Sequence, residues 1–251
     1  MQTSPAPSPL FSGVEWIWFD LDDTLIDFHA NSRCAHRLLF DEQNGFDSTY
    51  DDFAEWLHAY ETHNAELWRR YAAGEISQDF LRLDRFLAPL ALKWRGDSEA
   101  LETLCRYLDT RYLDLLAEQK QLVEGAREAL LLARARGYKI GVLSNGFSSV
   151  QHRKIRSARL DDLVDTVVLS DDIGIAKPDP RLYLYAMARV NNLRPDAHLM
   201  IGDNLATDIK GAEAAGWKHL FFAPRDSASS SPADPPAECR IARLDELSRL
   251  I

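Results

Sequence analysis

The segment "WIWFDLDDTLIDF" (16–28) places three carboxylates, Asp20, Asp22 and Asp23, directly after a run of large apolar side chains. Carboxylates crowded in this way repel one another, and a fold keeps them when a cation or protons compensate. Three later segments carry groups of matching chemistry. "VLSNG" offers the Ser144 hydroxyl and the backbone N–H groups around Asn145 and Gly146, which suit phosphate oxygens. "IAKPDP" supplies the ammonium of Lys177, and "MIGDNLATD" supplies Asp203 and, five positions on, Asp208. Taken singly, each is also an ordinary turn or helix cap. Together they place acid groups, a hydroxyl and one lysine where a phosphate and a hard cation can be held.

The elements that must position these groups are legible as apolar runs at 14–19, 138–144, 165–170, 198–202 and 218–223. They are short and continuously apolar, as strands buried on both faces are. Helical patterns at 124–137, 179–192 and 205–217 separate them, and alternation of strand and helix predicts a parallel sheet covered on both faces. Each chemical group then stands at or just beyond the C-terminal end of a strand, the edge where open α/β sheets bind ligands. Asp23 reads as a turn residue.

More than 110 residues separate the first two strands, whereas a parallel crossover needs about a dozen. Residues 30–118 therefore form a domain of their own. Helices are expected over 30–43, 49–73, 77–92 and 97–117, the third capped by Ser77 and the fourth following Asp97. An all-helical insert placed directly after the "DLDDT" strand is expected to act as a lid. The remaining boundaries are a flexible arm at 1–12 and a catalytic core made of 13–29 with 119–251. Residues 224–238, rich in Pro, Ser and Ala, read as a mobile surface loop, and "CRIARLDELSRLI" as a short edge strand with a closing helix.

A net charge of −10 argues against a nucleic acid polymer as partner but leaves room for a small anion held at a local positive site. No stretch approaches the roughly 20 apolar residues that cross a bilayer, and "MQTSPAPSPLFSG" lacks the basic and apolar regions of a signal peptide. The chain is expected in the cytoplasm, without a membrane partner. Cys34, Cys105 and Cys239 have neither disulfide nor zinc spacing and are expected as buried small hydrophobes.

With these motifs in order, the sequence resembles the haloacid dehalogenase-like hydrolases. "DLDDT", "LSNG", "AKPDP" and "GDNLATD" match the family's four motifs, and the resemblance covers 11–28 and 122–251. It implies a Rossmann-like, doubly wound α/β fold with an inserted helical cap domain. It also implies Asp20 as nucleophile, Asp22 as general acid and base, and Ser144, Asn145 and Lys177 as phosphate-binding residues. Magnesium (Mg2+) would be held by the Asp20 carboxylate, the Asp22 main-chain carbonyl and Asp203, with Asp208 one shell further out or acting through water. Because the family's dehalogenases do not use an acid/base Asp two positions after the nucleophile, Asp22 points to phosphoryl transfer.

The wider wording, including "SNGFSSVQ" and "GDNLATDIKGAEAAGW", is similar to the pyrimidine 5′-nucleotidase group. That implies a small phosphorylated metabolite as substrate, a nucleoside 5′-monophosphate ahead of a sugar phosphate. A sugar-phosphate phosphatase, a phosphomutase using the same motifs, and a non-catalytic phosphate-sensing or partner-binding module remain alternatives, the last disfavoured by the intact motif residues. Tyr183 stands where Phe is the common residue of the group. In the insert, Trp56, Tyr60, Trp68, Tyr71 and Trp94 have rings that stack on bases. Phe53, Trp56, Tyr60, Leu67 and Tyr71, however, fall on one helix face and are expected as insert core.

Overall fold

The protein is described by a computed structural model covering residues 11–43, 45–46, 49–224 and 236–251. Most of the expected arm at 1–12 and most of the expected loop at 224–238 lie outside the described residues. The chain divides into two compact units, one running to Phe28 and resuming at Lys120–Ile251, the other spanning His29–Gln119.

The first unit is built on a six-stranded, wholly parallel sheet. Its strands are β1 (Trp16–Phe19), β2 (Lys139–Ser144), β3 (Thr166–Leu169), β4 (His198–Gly202), β5 (Lys218–Phe222) and β6 (Arg240–Ile241), in the order β3-β2-β1-β4-β5-β6. The chain moves outward from β1 to β3, then returns to the other side of β1 with β4. That reversal opens the crevice in which doubly wound sheets bind ligands. Register fixes what meets there: Phe19 pairs with Val142 on one side and Ile201 on the other. The residues that follow these strands, Asp20 and Asp203 among them, therefore emerge together.

Alternate β1 side chains serve opposite cores, as the two-residue strand period requires. Ile17 and Phe19 join Leu130, Ile140 and Leu199 on one face, while Trp18 joins Leu143, Tyr183, Met200 and Trp217 on the other. Each such large apolar side chain contributes roughly 2 kcal/mol or more through burial. Trp18 lies opposite Gly141 in the register, and a Cβ at that glycine would collide with the indole. The Trp18 Nε1 donates to His198 Nδ1 at 3.0 Å, binding β1 to β4 through side chains as well as backbone.

The helical unit contains α1 (Phe28–Glu42), which opens at the boundary, then α2 (Phe53–Ala72), α3 (Gln78–Ala91) and α4 (Ser98–Glu118). Asp52, Ser77 and Asp97 cap the last three by accepting backbone N–H bonds from Ala54, Phe80 and Ala100. The second helix starts later than the expected 49 because Asp52 provides that cap. Phe53, Trp56, Tyr60 and Leu67 are buried as expected, but Tyr71 is only half-buried against Trp68. The core of this unit also holds polar groups. Asp109 accepts from Arg85 and Arg82, and His36 lies between Tyr60, edge-on with ring centroids 4.1 Å apart, and Tyr112, stacked at 4.2 Å.

In the sheet-bearing unit the helices are α5 (Ala126–Ala135), α6 (Ser148–Ser157), the single turn α7 (Ser170–Ile173), α8 (Pro180–Arg189) and α9 (Lys210–Ala214). The chain closes with edge strand β6 and a 3₁₀ helix at Leu244–Arg249. Two expectations need correction. The helix expected over 205–217 is broken, since Leu205–Ile209 winds as a π turn before α9 begins. Of the cysteines only Cys105 is buried; Cys239 is half-buried and Cys34 is exposed on α1.

Candidate active site

Asp20 follows β1 and is almost fully buried. Its Oδ1 accepts from Lys177 Nζ at 2.6 Å. The same ammonium stands 2.7 Å from Asp208 Oδ1 and donates to the Leu143 carbonyl at 2.8 Å. One oxygen each from Asp20, Asp203 and Asp208 lie within 4.8 Å of one another, forming a carboxylate cluster. Asp208 is thus brought into the group itself, nearer than its position after Asp203 suggests. The π turn is the reason: it folds the Asp208 side chain back so that Oδ2 accepts the Asn204 N–H at 3.0 Å. Such turns are frequent at functional sites. Gly202 makes room, for a Cβ there would overlap the Asp208 carboxylate.

Tyr183 secures this turn from α8. Its hydroxyl lies 3.0 Å from the carbonyl oxygens of both Thr207 and Asp208, so its one proton is shared between them and ties the turn to α8. A phenylalanine could not do so, which gives the unusual tyrosine a structural reason. Thr24 holds the third carboxylate, donating from Oγ1 to Asp203 Oδ1 at 3.1 Å.

The electrostatics follow from burial and crowding. Burial, opposed by Lys177 and reinforced by Asp208 and Asp203, raises the Asp20 pKa well above the ordinary carboxylate value. Burial, together with Asp208 and Asp23, brings Asp203 up to about 7. For Lys177 burial works against the charge, but Asp20 and Asp208 outweigh it and hold the ammonium protonated above its usual range. Three carboxylates against one ammonium leave the cluster rich in negative charge, and its donors are all hard oxygens. That set fits a small divalent cation such as magnesium.

Asp22 is placed differently. Its carboxylate lies outside the cluster and faces α6, where Lys154 Nζ donates to Oδ1 at 2.8 Å and to Oδ2 at 3.0 Å. Gln151 Nε2 donates to Asp22 Oδ2 and to Ser144 Oγ, each at 2.9 Å. Asn145 turns its side chain onto the Lys177 backbone, accepting its N–H at 2.8 Å and donating to its carbonyl at 3.0 Å. The amide therefore fixes the lysine backbone. Asp23 is the turn residue expected, with left-handed φ of +59° and a carboxylate accepting the Phe28 N–H.

Lys154 and Gln151 were not legible as site residues. The signal available was their spacing of three on one short helix that starts just after the Ser144–Gly146 turn.

Comparison with known proteins bears directly on this constellation. Residues 14–216 match the haloacid dehalogenase-like hydrolase family. The chain belongs to this family. As a member it is an enzyme, a hydrolase on an α/β core with an inserted helical unit. The HAD-hydrolase YfnB of Bacillus subtilis is 31% identical over 234 residues, 93% of each chain. A solved YfnB structure, described as bound to magnesium, superposes with a TM-score of 0.79 at 29% identity, covering 93% of this chain and 96% of that one. The pyrimidine 5′-nucleotidase YjjG of Escherichia coli is 31% identical over 202 residues, 80% of this chain and 83% of its own. A glyceraldehyde 3-phosphate phosphatase of Pyrococcus furiosus is 28% identical over 215 residues, 83% and 80% of the two chains. Among the described residues no helix is long and apolar enough to cross a membrane.

Proposed function

We propose that the protein is a magnesium-dependent phosphomonoester hydrolase that works through an aspartyl-phosphate on Asp20 and prefers nucleoside 5′-monophosphates. The observation that carries this reading is the contrast between two carboxylates two residues apart. Asp20 sits in a buried cluster with Lys177, whereas Asp22 stands outside it, hydrogen-bonded to α6. Paired carboxylates in unlike surroundings suit unlike roles.

In the proposed reaction an Asp20 oxygen attacks phosphorus while the bond from phosphorus to the ester oxygen breaks. The leaving oxygen takes the proton that Asp22 carries, releasing an alcohol. A water then gives a proton to Asp22 as its oxygen attacks the aspartyl-phosphate. The bond from phosphorus to Asp20 breaks, and inorganic phosphate leaves with both carboxylates restored. Ser144, the backbone around Asn145, and Lys177 hold the phosphate oxygens. Asp20, Asp203 and the Asp22 main-chain carbonyl are the proposed magnesium ligands, with Asp208 close enough to join them or to orient the metal's water. When bound, magnesium supplies the positive charge that lets an anionic nucleophile meet an anionic ester.

The substrate preference is supported by the 5′-nucleotidase YjjG among similar proteins and by the acidic chain, which disfavours polymeric nucleic acid. A sugar phosphatase is the second reading, favoured by the similar glyceraldehyde 3-phosphate phosphatase. Measurement of kcat/KM over matched panels of nucleoside monophosphates and sugar phosphates, at one pH and magnesium concentration, tests the proposal. A sugar phosphate ahead of every nucleotide by tenfold, about 1.4 kcal/mol of transition-state binding, replaces the nucleotidase reading. Failure to hydrolyse any phosphomonoester removes the phosphatase reading altogether.

A further inference from the structure

We propose that Lys154 positions the Asp22 carboxylate for proton transfer, and that Gln151 ties that carboxylate to the Ser144 hydroxyl. The inference rests on the phosphatase reading, in which Asp22 serves the leaving oxygen.

Lys154 lies in α6 with its side chain only 4% exposed. Its ammonium meets both Asp22 oxygens and lies 5.0 Å from the centre of the Phe28 ring, which braces it from a further side. A buried lysine is an expensive way to fill space on a helix whose neighbouring Val150 and Ile155 are apolar. Burying a charge costs more than burying a hydrocarbon, and a buried ion pair is seldom a net source of stability. What it does provide is orientation, because a carboxylate on a turn has two rotatable bonds and a fixed cation selects one setting of them. Gln151 adds a second restraint to the same carboxylate and connects it to Ser144. The turn is shaped around that amide: a Cβ on Gly146 would fall 2.7 Å from Gln151 Nε2. Ser144, Gln151, Asp22 and Lys154 thus form a connected line from the proposed phosphate contact to the proposed proton donor. Lys154 meets the Asp22 carboxylate and none of the clustered carboxylates, so it acts through Asp22.

A positioning role predicts a dependence on the leaving group. 4-Nitrophenolate departs without a proton, whereas phenolate needs one. The ratio of kcat/KM for 4-nitrophenyl phosphate to that for phenyl phosphate therefore reports how well Asp22 delivers its proton. For K154M the ratio is expected to rise about tenfold or more over that of the intact enzyme, within the range of general acid catalysis. Inhibition by inorganic phosphate should stay within about twofold, general acid loss leaving phosphate contacts in place. K154R should return most of the way to the original ratio. In an Asp22→Asn background, K154M should change the ratio no further, since the group it orients is gone. If circular dichroism shows K154M unfolded, K154Q, uncharged and of similar length, is read on the same ratio. Equal loss on both esters, or an unchanged ratio, overturns the proposal while leaving the phosphatase reading intact. An intact enzyme that hydrolyses neither ester removes that reading, and the positioning role with it.

Discussion

Lys177 Nζ lies 2.6 Å from Asp20 Oδ1, at the end of a lysine side chain that is itself buried. The two residues are 157 apart in sequence, and their contact joins the loop after β3 to the end of β1. The same ammonium serves Asp208, so one cation is shared by two of the three clustered carboxylates.

Removing that cation should expose the repulsion it offsets. Lys177→Met is expected to destabilise the metal-free protein by several kcal/mol, within the roughly 3–5 kcal/mol seen when one partner of a buried pair is lost. Magnesium should restore part of the loss by supplying charge to the same oxygens. Denaturant unfolding with and without magnesium checks both statements, and equal stability of variant and parent in chelator contradicts them. Activity should fall at least a hundredfold even with magnesium present, the proposed phosphate contact being gone.

The raised pKa of Asp203 sets a pH dependence. The folded value of about 7 lies above the unfolded one, about 3.9. Between these values the folded state holds a proton that the unfolded chain has released. The stability linked to Asp203 is therefore fully present below about pH 4 and lost as pH rises through about 7. Other groups add their own slopes, so the comparison is between parent and Asp203→Asn in chelator, whose difference should vary over that window and level off above it. A difference that is flat from pH 4 to 8 rules out the assignment. Magnesium, which competes with the proton, should bind more tightly as pH rises through the same window.

Tyr183→Phe tests whether the hydroxyl on α8 maintains the π turn. Loss of its bond removes the donor that the Thr207 and Asp208 carbonyls share and is expected to cost about 0.5–1.5 kcal/mol, the usual net worth of one hydrogen bond. Because the turn delivers Asp208 to the cluster, magnesium affinity should weaken along with stability. Isothermal titration of magnesium separates the two effects: a variant less stable but with parental affinity shows that the turn keeps its shape without the hydroxyl.

His36 makes the helical unit acid-sensitive. Its ring is wholly buried, and neither nitrogen has a hydrogen-bond partner among the described residues. Burial, helped by the nearby Arg85 charge, puts its pKa well below 6.5. With the folded value depressed, the associated stability is present above the unfolded pKa of about 6.5 and is lost progressively as pH falls below it. His36→Phe keeps a ring between Tyr60 and Tyr112 and removes the titrating group. It should abolish that part of the acid slope while changing stability at pH 8 by no more than about 1–3 kcal/mol, the range of a modest overpacking cost. An unaltered slope between pH 6.5 and 5 in thermal unfolding contradicts the account.

The elements and the chemistry they carry can be read along the chain. Continuous apolar runs such as Trp16–Phe19 are short and bordered by polar turns, so their burial and their ends were legible, and with them the carboxylates and the lysine that follow. Side-chain periodicity likewise showed the helical insert and its caps at Ser77 and Asp97. All of this is information carried within a dozen residues. Which groups meet depends on how the distant strands and helices pack. The pairing of Phe19 with Ile201 brings Asp20 beside Asp203, and no local pattern encodes a register between strands so far apart. The π turn at Leu205–Ile209 was hidden because its residues have ordinary helical character; what stabilises it is the Tyr183 hydroxyl from another helix and the space at Gly202. Lysine and glutamine side chains are ordinarily solvated, yet Lys154 and Gln151 face inward because Asp22, more than a hundred residues earlier, supplies the acceptor that makes their burial tolerable. The exposure of Cys34 has the converse reason: a small thiol is apolar enough for a core but obliges nothing to cover it, so its place on α1 follows from which face of that helix is packed.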